Sequence, residues 1–341
     1  AYSGFLTLKT MHFALIGQGL AGSSLAIEAD KHGHDITCFD LSNNNVASRV
    51  AIGIINPLVL KNRTVFDKSE ILINHCLSYY AEVEKMFQEP FLSKNLIREV
   101  LSSPSEVLNW MSLSKDANLE KYIGSIETPH KSLAALGLGI VKNSLRLDVK
   151  NYLQIIRNWL SKQHNLQNED VTNISVSKNG VIVNGQKFDG LLLAEGLRAK
   201  WTQKIFQPLQ FSPSKGEGLI IETTNTHIDF PIHRNTFLLK ENENRYTVGA
   251  TFNRKDLQTG PSKAGKDLLI QELSYWFQDD FKIVNHWSGL RPTMKNRKIC
   301  FGWHKEFPNI GFLNGLGSRG ALTSPYYSSL LWSQHQNHKK R

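Results

Sequence analysis

Long apolar runs are missing from this chain. No stretch approaches the ~20 residues that a helix needs to cross a bilayer, so an integral helical membrane protein is not expected. The opening AYSGFLTLKT lacks a basic n-region, which argues against a signal peptide. Residues 1–10 read as a tag or extension outside the fold, with Met11 a natural start. Cysteine is scarce: Cys38, Cys76 and Cys300 stand far apart, with no C-x-x-C and no even-numbered framework. That excludes a disulfide scaffold and points to reduced thiols and a cytoplasmic protein. The twelve histidines include no H-E-x-x-H, and no metal is expected. His32 and His34 flank Gly33 where a helix should end, and a solvated turn accounts for them. There is no internal repeat and no low-complexity tract.

Acidic residues are outnumbered, 30 Asp and Glu against 40 Lys and Arg, for a net charge of +10. Lys339, Lys340 and Arg341 supply three of those charges at the end of the chain. The excess suits an anionic partner such as RNA, and equally a basic enzyme that takes anionic ligands. With 341 residues, 40% of them hydrophobic, the chain is sized for about two domains.

The richest segment is FALIGQGLAGSSLAIEADKHGHDITCFD, Phe13 to Asp40. An apolar run leads into Gly17, Gly19 and Gly22 in G-x-G-x-x-G spacing, then a helical stretch, then a second apolar run ending on Asp40. This is the dinucleotide-binding fingerprint in its required context of strand, glycine turn, helix, strand and acid. Gly17 permits the turn, Gly19 lets backbone approach a pyrophosphate, and Gly22 lets helix pack on strand. Leu20 and Ala21 open the helix, whose free N–H groups favour phosphate. Asp40 is placed to accept hydrogen bonds from a ribose.

Further along, a helix is expected from near Asp67, with Glu70 as in a capping box. Cys76, Tyr80, Val83 and Phe87 recur on one face. Helix starts are predicted at Ser103-Pro104-Ser105-Glu106 and after Asp148, the latter burying Leu153, Ile156 and Leu160. From Val171 the period shortens. VTNISVS and GVIVNG form a hairpin about Lys178-Asn179-Gly180. FDGLLLAEG has the fully apolar core of a buried parallel strand. GEGLIIET, TFLLK and RYTVGATF, within 216–253, read as antiparallel strands. Leu269, Leu273 and Trp276 mark another helix, and IGFLNG with its glycine turn and helix a last βα unit. The fold class is therefore α/β: a Rossmann-type nucleotide domain from 11–75, 145–205 and 285–341, with a discontinuous α+β substrate domain on an antiparallel sheet, 76–144 and 206–284. The site is expected between them.

Four segments together resemble the flavoprotein amine oxidases typified by D-amino-acid oxidase and glycine oxidase. They are the fingerprint with Asp40, ASRVAIGIINP (Ala47 to Pro57), FDGLLLAEG (Phe188 to Gly196), and the long segment from His286 through GLRP and GLGSRG to Pro325. The resemblance runs over nearly the whole chain from Met11. It implies non-covalent FAD, since Cys300 does not fall where the sarcosine oxidase branch attaches its flavin. It implies cofactor contacts from Ser48, Arg49, Ala51, Gly53, Val171, Ala194, Glu195, Gly196, Leu316, Gly317, Ser318 and Gly320. Arg291, in G-L-R-P, matches the arginine that anchors the substrate carboxylate in the glycine oxidase branch. Bidentate guanidinium geometry suits that task. Arg319 is expected to face substrate or flavin. Phe237 stands where such oxidases tend to carry a substrate-holding tyrosine. Thr247 lies near the place of the oxygen-activating lysine of the sarcosine oxidase branch, which points to oxygen as a poor electron acceptor. GLGSRG is similar to the FAD domain of the enzyme that modifies the wobble uridine of tRNA by oxidative removal of a carboxymethyl group.

Gly260 to Asp267, GPSKAGKD, nearly matches a phosphate loop. Asp267 replaces the required hydroxyl and no strand leads into it, so a polar loop is expected there. The leading expectation is an FAD-dependent oxidoreductase that oxidises the C–N bond of an amine or amino acid carrying a carboxylate. Hydride passes to flavin N5 and the imine hydrolyses, with no dedicated acid or base. A tRNA wobble-uridine oxidoreductase and a non-catalytic flavoprotein are the alternatives. Oligomeric state is not legible.

Overall fold

The computed structural model describes residues 10–41, 47–178, 180–224 and 228–339, with side chains as far as His335. Asn179, the middle of the expected hairpin turn, and the Lys340–Arg341 end of the basic tail lie outside these.

Six strands form the sheet that the glycine fingerprint belongs to. In spatial order they are Asn165–Gln167, Asp35–Phe39, His12–Ile16, Gly190–Leu193, Ile310–Asn314 and Cys300–Trp303. The first five run parallel and the last is antiparallel. The Gly190–Leu193 strand lies beside His12–Ile16, so FDGLLLAEG is the buried parallel strand its composition demands. One face carries the helices Leu20–Lys31, Ser69–Phe87, Val149–Gln163 and Gly320–Lys339 over a core that includes Leu25, Tyr80, Ile156 and Trp332. A three-stranded antiparallel sheet, Ile174–Ser177, Gly180–Val183 and Gln186–Phe188, covers the other face. Each large side chain so buried contributes about 1.5–3 kcal/mol.

The second layer is an eight-stranded sheet. Its order is Lys282–Arg291, Ser214–Glu222, Arg245–Gly249, Thr236–Lys240, Ile232–Arg234, Ile97–Leu101, Gly137–Val141, Ile123–Glu127. All its pairings are antiparallel except that of Ile232–Arg234 with Ile97–Leu101. That one parallel pair joins the two inserts into a single sheet, which explains how segments so distant in sequence make one unit.

The packing departs from the expected inserts at one end of each. The Ser69–Phe87 helix buries Cys76, Tyr80 and Val83 against the parallel-sheet core rather than starting the insert at 76. The Lys282–Arg291 strand pairs with Ser214–Glu222, so the second insert runs on past 284. Local expectations also shift. The Ser69–Phe87 helix is capped by Lys68 in the left-handed region, with no side-chain cap, and Glu70 pairs with Lys121 instead. Ser103 and Asp148 do cap their helices, accepting from Glu106 N and Asn151 N. His32 and His34 are not a solvated turn: His32 stacks on Trp332, 5.2 Å between centroids, and His34 is buried against the same indole. Ser262 caps the helix that follows the GPS of the phosphate-loop look-alike. All three cysteines are free thiols. Burial pushes Cys38 and Cys76 well above the ordinary thiol range, which makes them unreactive.

Candidate active site

A cleft of about 310 Å³ lies between the C-terminal ends of the parallel strands and one face of the eight-stranded sheet. Four pieces of chain meet there, at the place where sheets of this kind bind their ligands. The glycine turn contributes Gly19, Leu20 and Ala21. The loop after Asp40 contributes Ser48, Ala51 and Gly53. The ends of the middle strands contribute Ala194, Gly196 and Asn314, and the last turn Leu316, Gly317, Ser318, Arg319 and Gly320. Two helices, Leu20–Lys31 and Gly320–Lys339, point their N-termini at the cleft.

The turn itself is tightly built. Gly17 has φ +94°, and a Cβ there would meet the Ala194 carbonyl at 2.5 Å. A Cβ on Gly22 would stand 1.8 Å from the Gly17 carbonyl oxygen. Gly17 and Gly22 therefore shape the turn from behind, while Gly19 faces the cleft, its missing Cβ leaving Ser48 Oγ within reach of the Leu20 N–H at 3.1 Å.

Asp40 does not line the cleft. Its Oδ1 accepts from Gln18 N at 2.9 Å, and its Oδ2 from Arg49 and Arg157, each at 3.0 Å. Arg49 is thus engaged with Asp40 rather than lining the cleft. Arg157 was not expected. It comes from the Val149–Gln163 helix, where one polar residue among many gives no sequence signal.

Two other nominated residues have different work. The Glu195 carboxylate accepts from Trp201 N, Thr202 N and Thr202 Oγ1, so it caps the Lys200–Ile205 helix. Val171 is buried, with its N–H on Asp170 Oδ1 and its carbonyl on Trp201 Nε1. Both backbone groups are already satisfied within the protein. Thr247 lies outside the cleft as well, its hydroxyl on Glu241, while Ala250 takes the wall position.

The eight-stranded sheet supplies the opposite wall. Trp287, Gly289 and Arg291 alternate along one strand and all line the cleft, the period of 2 that a strand imposes. The W-x-G-x-R spacing could have revealed Trp287. Phe237 and Asn235 complete this wall.

Arg291 and Arg319 are the only ionisable side chains lining the cleft among the described residues. Their guanidinium groups differ in what they touch. Arg319 donates to the carbonyls of Asn56 (3.1 Å) and Leu58 (2.9 Å), and its cation sits 4.0 Å from the Phe66 ring centroid. Its head group ties the last turn to the segment after Asp40. Arg319→Met is expected to leave two carbonyls unpaired and cost about 2–4 kcal/mol. A thermal melt should show a Tm several degrees lower, and an unchanged Tm would contradict the tether.

Arg291 is held by one hand only. Its Nη2 donates to the Thr251 carbonyl at 3.0 Å, while Nη1 is shielded from solvent without a hydrogen-bond partner. A Cβ on Gly216 would lie 2.3 Å from Nη2, so only glycine there lets the guanidinium rest flat on the neighbouring strand. Burial pushes its pKa down to about 10, and it stays cationic at neutral pH. Nothing anionic among the described residues forms an ion pair with it within 4.0 Å.

The glycine turn, the parallel sheet and the cleft against a second sheet define a two-layer dinucleotide-dependent protein. The cleft suits a flavin dinucleotide: it is lined largely by small residues, and two helix N-termini face it. Comparison with known proteins is more specific. The model of the family described as FAD dependent oxidoreductase matches residues 12–331, and the chain belongs to that family. It is thus an FAD-dependent oxidoreductase. Glycine oxidase of Bacillus subtilis (strain 168) is 26% identical over 138 residues, 38% of this chain and 37% of that protein. That match therefore spans little more than a third of the relative's length. Two crystal structures share the fold over nearly the whole chain. Glycine oxidase from Geobacillus kaustophilus superposes with a TM-score of 0.78 at 16% identity, covering 96% of this chain and 95% of that one. Iminodiacetate oxidase from Chelativorans sp. BNC1 gives 0.75 at 17%, covering 94% of each.

Proposed function

We propose that this enzyme oxidises the C–N bond of an amine or amino acid that carries a carboxylate, with non-covalent FAD. The observation that carries this reading is Arg291: a half-buried cation in the cleft whose Nη1 is shielded from solvent and uncommitted, with no acid paired to it among the described residues. Such a group calls for an anion, and its planar fork fits a carboxylate. Glycine and iminodiacetate, named in the relatives' descriptions, each join an amine to a carboxylate.

Flavin, when bound, would supply the two-electron acceptor for hydride from the carbon bearing the amine. The chain's own part is positioning. Arg291 fixes the carboxylate at one end, and Phe237 and Trp287 close the wall around the reacting carbon and exclude water. With no Asp, Glu, His, Lys or Tyr lining the cleft among the described residues, none of these is placed as a general base, so the amine enters already deprotonated. The imine then hydrolyses in water. The Gly320–Lys339 helix aims its positive end at the cleft, where it would stabilise negative charge on a reduced flavin. Phe237 in place of a hydroxyl leaves Arg291 as the principal carboxylate ligand.

Anaerobic addition of small amino acids to the yellow holoenzyme tests the reading. Bleaching of the flavin band by a carboxylate-bearing amine without RNA supports it. Failure of every such amine to bleach, or reduction only in the presence of tRNA, would reject it.

A further inference from the structure

Behind the Arg291 wall, on the far face of the same sheet, lies a buried charged network that the chemistry above does not use. Strand alternation separates the two faces. Gly216 meets the Arg291 guanidinium on the cleft side, while Lys215 and Glu217 point the other way. Both are 2% exposed. Lys215 Nζ lies 2.9 Å from Asp256 and 3.3 Å from Glu217. Glu217 accepts from Ser262 N and Ser262 Oγ, each at 2.7 Å, and its Oε2 is 3.0 Å from His286 Nε2. Burial alone would raise the Glu217 carboxyl, but the Ser262 and Lys215 contacts hold it below the usual range.

The groups so held belong to one strap, residues 251–262, which begins at Arg291 and wraps round the sheet edge to its back. The strap is also stitched by backbone. Lys215 and Asn253 exchange two hydrogen bonds, 2.7 and 2.9 Å. Thr251 N donates to the Glu217 carbonyl, and Glu217 N to Thr251 Oγ1, both at 2.9 Å. The outcome of this stitching is a fixed Thr251 carbonyl, which is the acceptor that orients Arg291. Phe252, next along, lies with its ring centroid 5.4 Å from the Arg291 guanidinium carbon.

We propose that Lys215, Glu217 and Asp256 are positioning residues for Arg291: by clamping the 251–262 strap to the back of the sheet they hold the Thr251 carbonyl where it leaves Nη1 free for the substrate carboxylate. A buried ion cluster of this kind costs desolvation and contributes little net stability. A role in geometry accounts for its presence. The proposal rests on the carboxylate role of Arg291.

The test uses the holoenzyme with acetate as probe, read by the change it makes in the visible spectrum of bound flavin. Asp256→Asn and Lys215→Met should each weaken acetate binding about tenfold and raise the KM of a carboxylate-bearing amine by a similar factor. FAD affinity, which a general loss of structure would lower, should stay within about twofold of wild type. In an Arg291→Lys background, which lacks the fork that Thr251 holds, Asp256→Asn should add no further loss. Asp256 is partly exposed, at 34% of its side chain, so its amide variant does not depend on refilling a core. Acetate binding unchanged in both single variants, or an equal loss in the Arg291→Lys background, would overturn the clamp while leaving the carboxylate role of Arg291 standing. Wild-type holoenzyme that ignores acetate would remove that role, and the clamp with it.

Discussion

Arg291→Met is expected to lower kcat/KM for a carboxylate-bearing amine by about 100-fold or more, mostly through KM. Removing one partner of a desolvated, hydrogen-bonded charge pair costs about 2–5 kcal/mol, and 1.4 kcal/mol is a factor of ten. The side chain makes one hydrogen bond to the fold, against two for Arg319, so FAD content should hold and Tm should fall less than in Arg319→Met. The contrast with Arg319→Met separates a ligand-binding arginine from a structural one. The same cation sets a pH limit. Burial pushes Arg291 to about 10. Its charged form binds the carboxylate, so affinity should be level from neutral pH and fall as pH rises through about 10. Acetate binding measured across that range checks the sign, and a loss on acidification towards neutrality would contradict it. A methionine variant with unchanged KM would remove the basis of the functional reading.

The second large effect is expected at the glycine turn. Gly22→Ala should give protein that retains little flavin and melts well below wild type. The added methyl would stand 1.8 Å from the Gly17 carbonyl oxygen. Gly17 is held in place, because its N–H is bonded to the Phe39 carbonyl at 2.9 Å. The Leu20–Lys31 helix must therefore lift off the sheet, at about 3 kcal/mol or more for such overpacking. The lift also carries Leu20 and Ala21 away from the cleft. The ratio of flavin to protein absorbance, taken with a melting curve, reads both consequences. A yellow alanine variant with wild-type Tm would show that the close contact is not maintained in solution.

Much of the nucleotide-binding layer was legible because its rules are local. A strand, a glycine turn and a helix at fixed spacing impose their geometry wherever they occur, and Gly17, Gly19 and Gly22 fall where that spacing puts them. The apolar run Leu191 to Ala194 required a strand buried on both faces, and it lies inside the parallel sheet. Arg291 was reached through the motif around it, and the structure brings it into the same cleft as Gly19 and Gly317.

Other side chains have partners that the sequence does not reveal, for reasons equally physical. Glu195 follows a strand whose end lines the cleft, yet its carboxylate reaches the first turn of the next helix, where unpaired N–H groups compete for it. Arg319 sits in the right turn, but the nearest acceptors are carbonyls of a loop more than 260 residues earlier. Arg157 reaches Asp40 across 117 residues of sequence, and Trp287 meets the cleft through strand pairing. By itself the sequence determined the class of fold, the glycine turn and the residue types able to hold a dinucleotide and a carboxylate, since these follow from backbone geometry and spacing. Tertiary structure alone decided which arginine keeps a free edge, because that depends on whether distant carbonyls and carboxylates lie within ~3 Å of it.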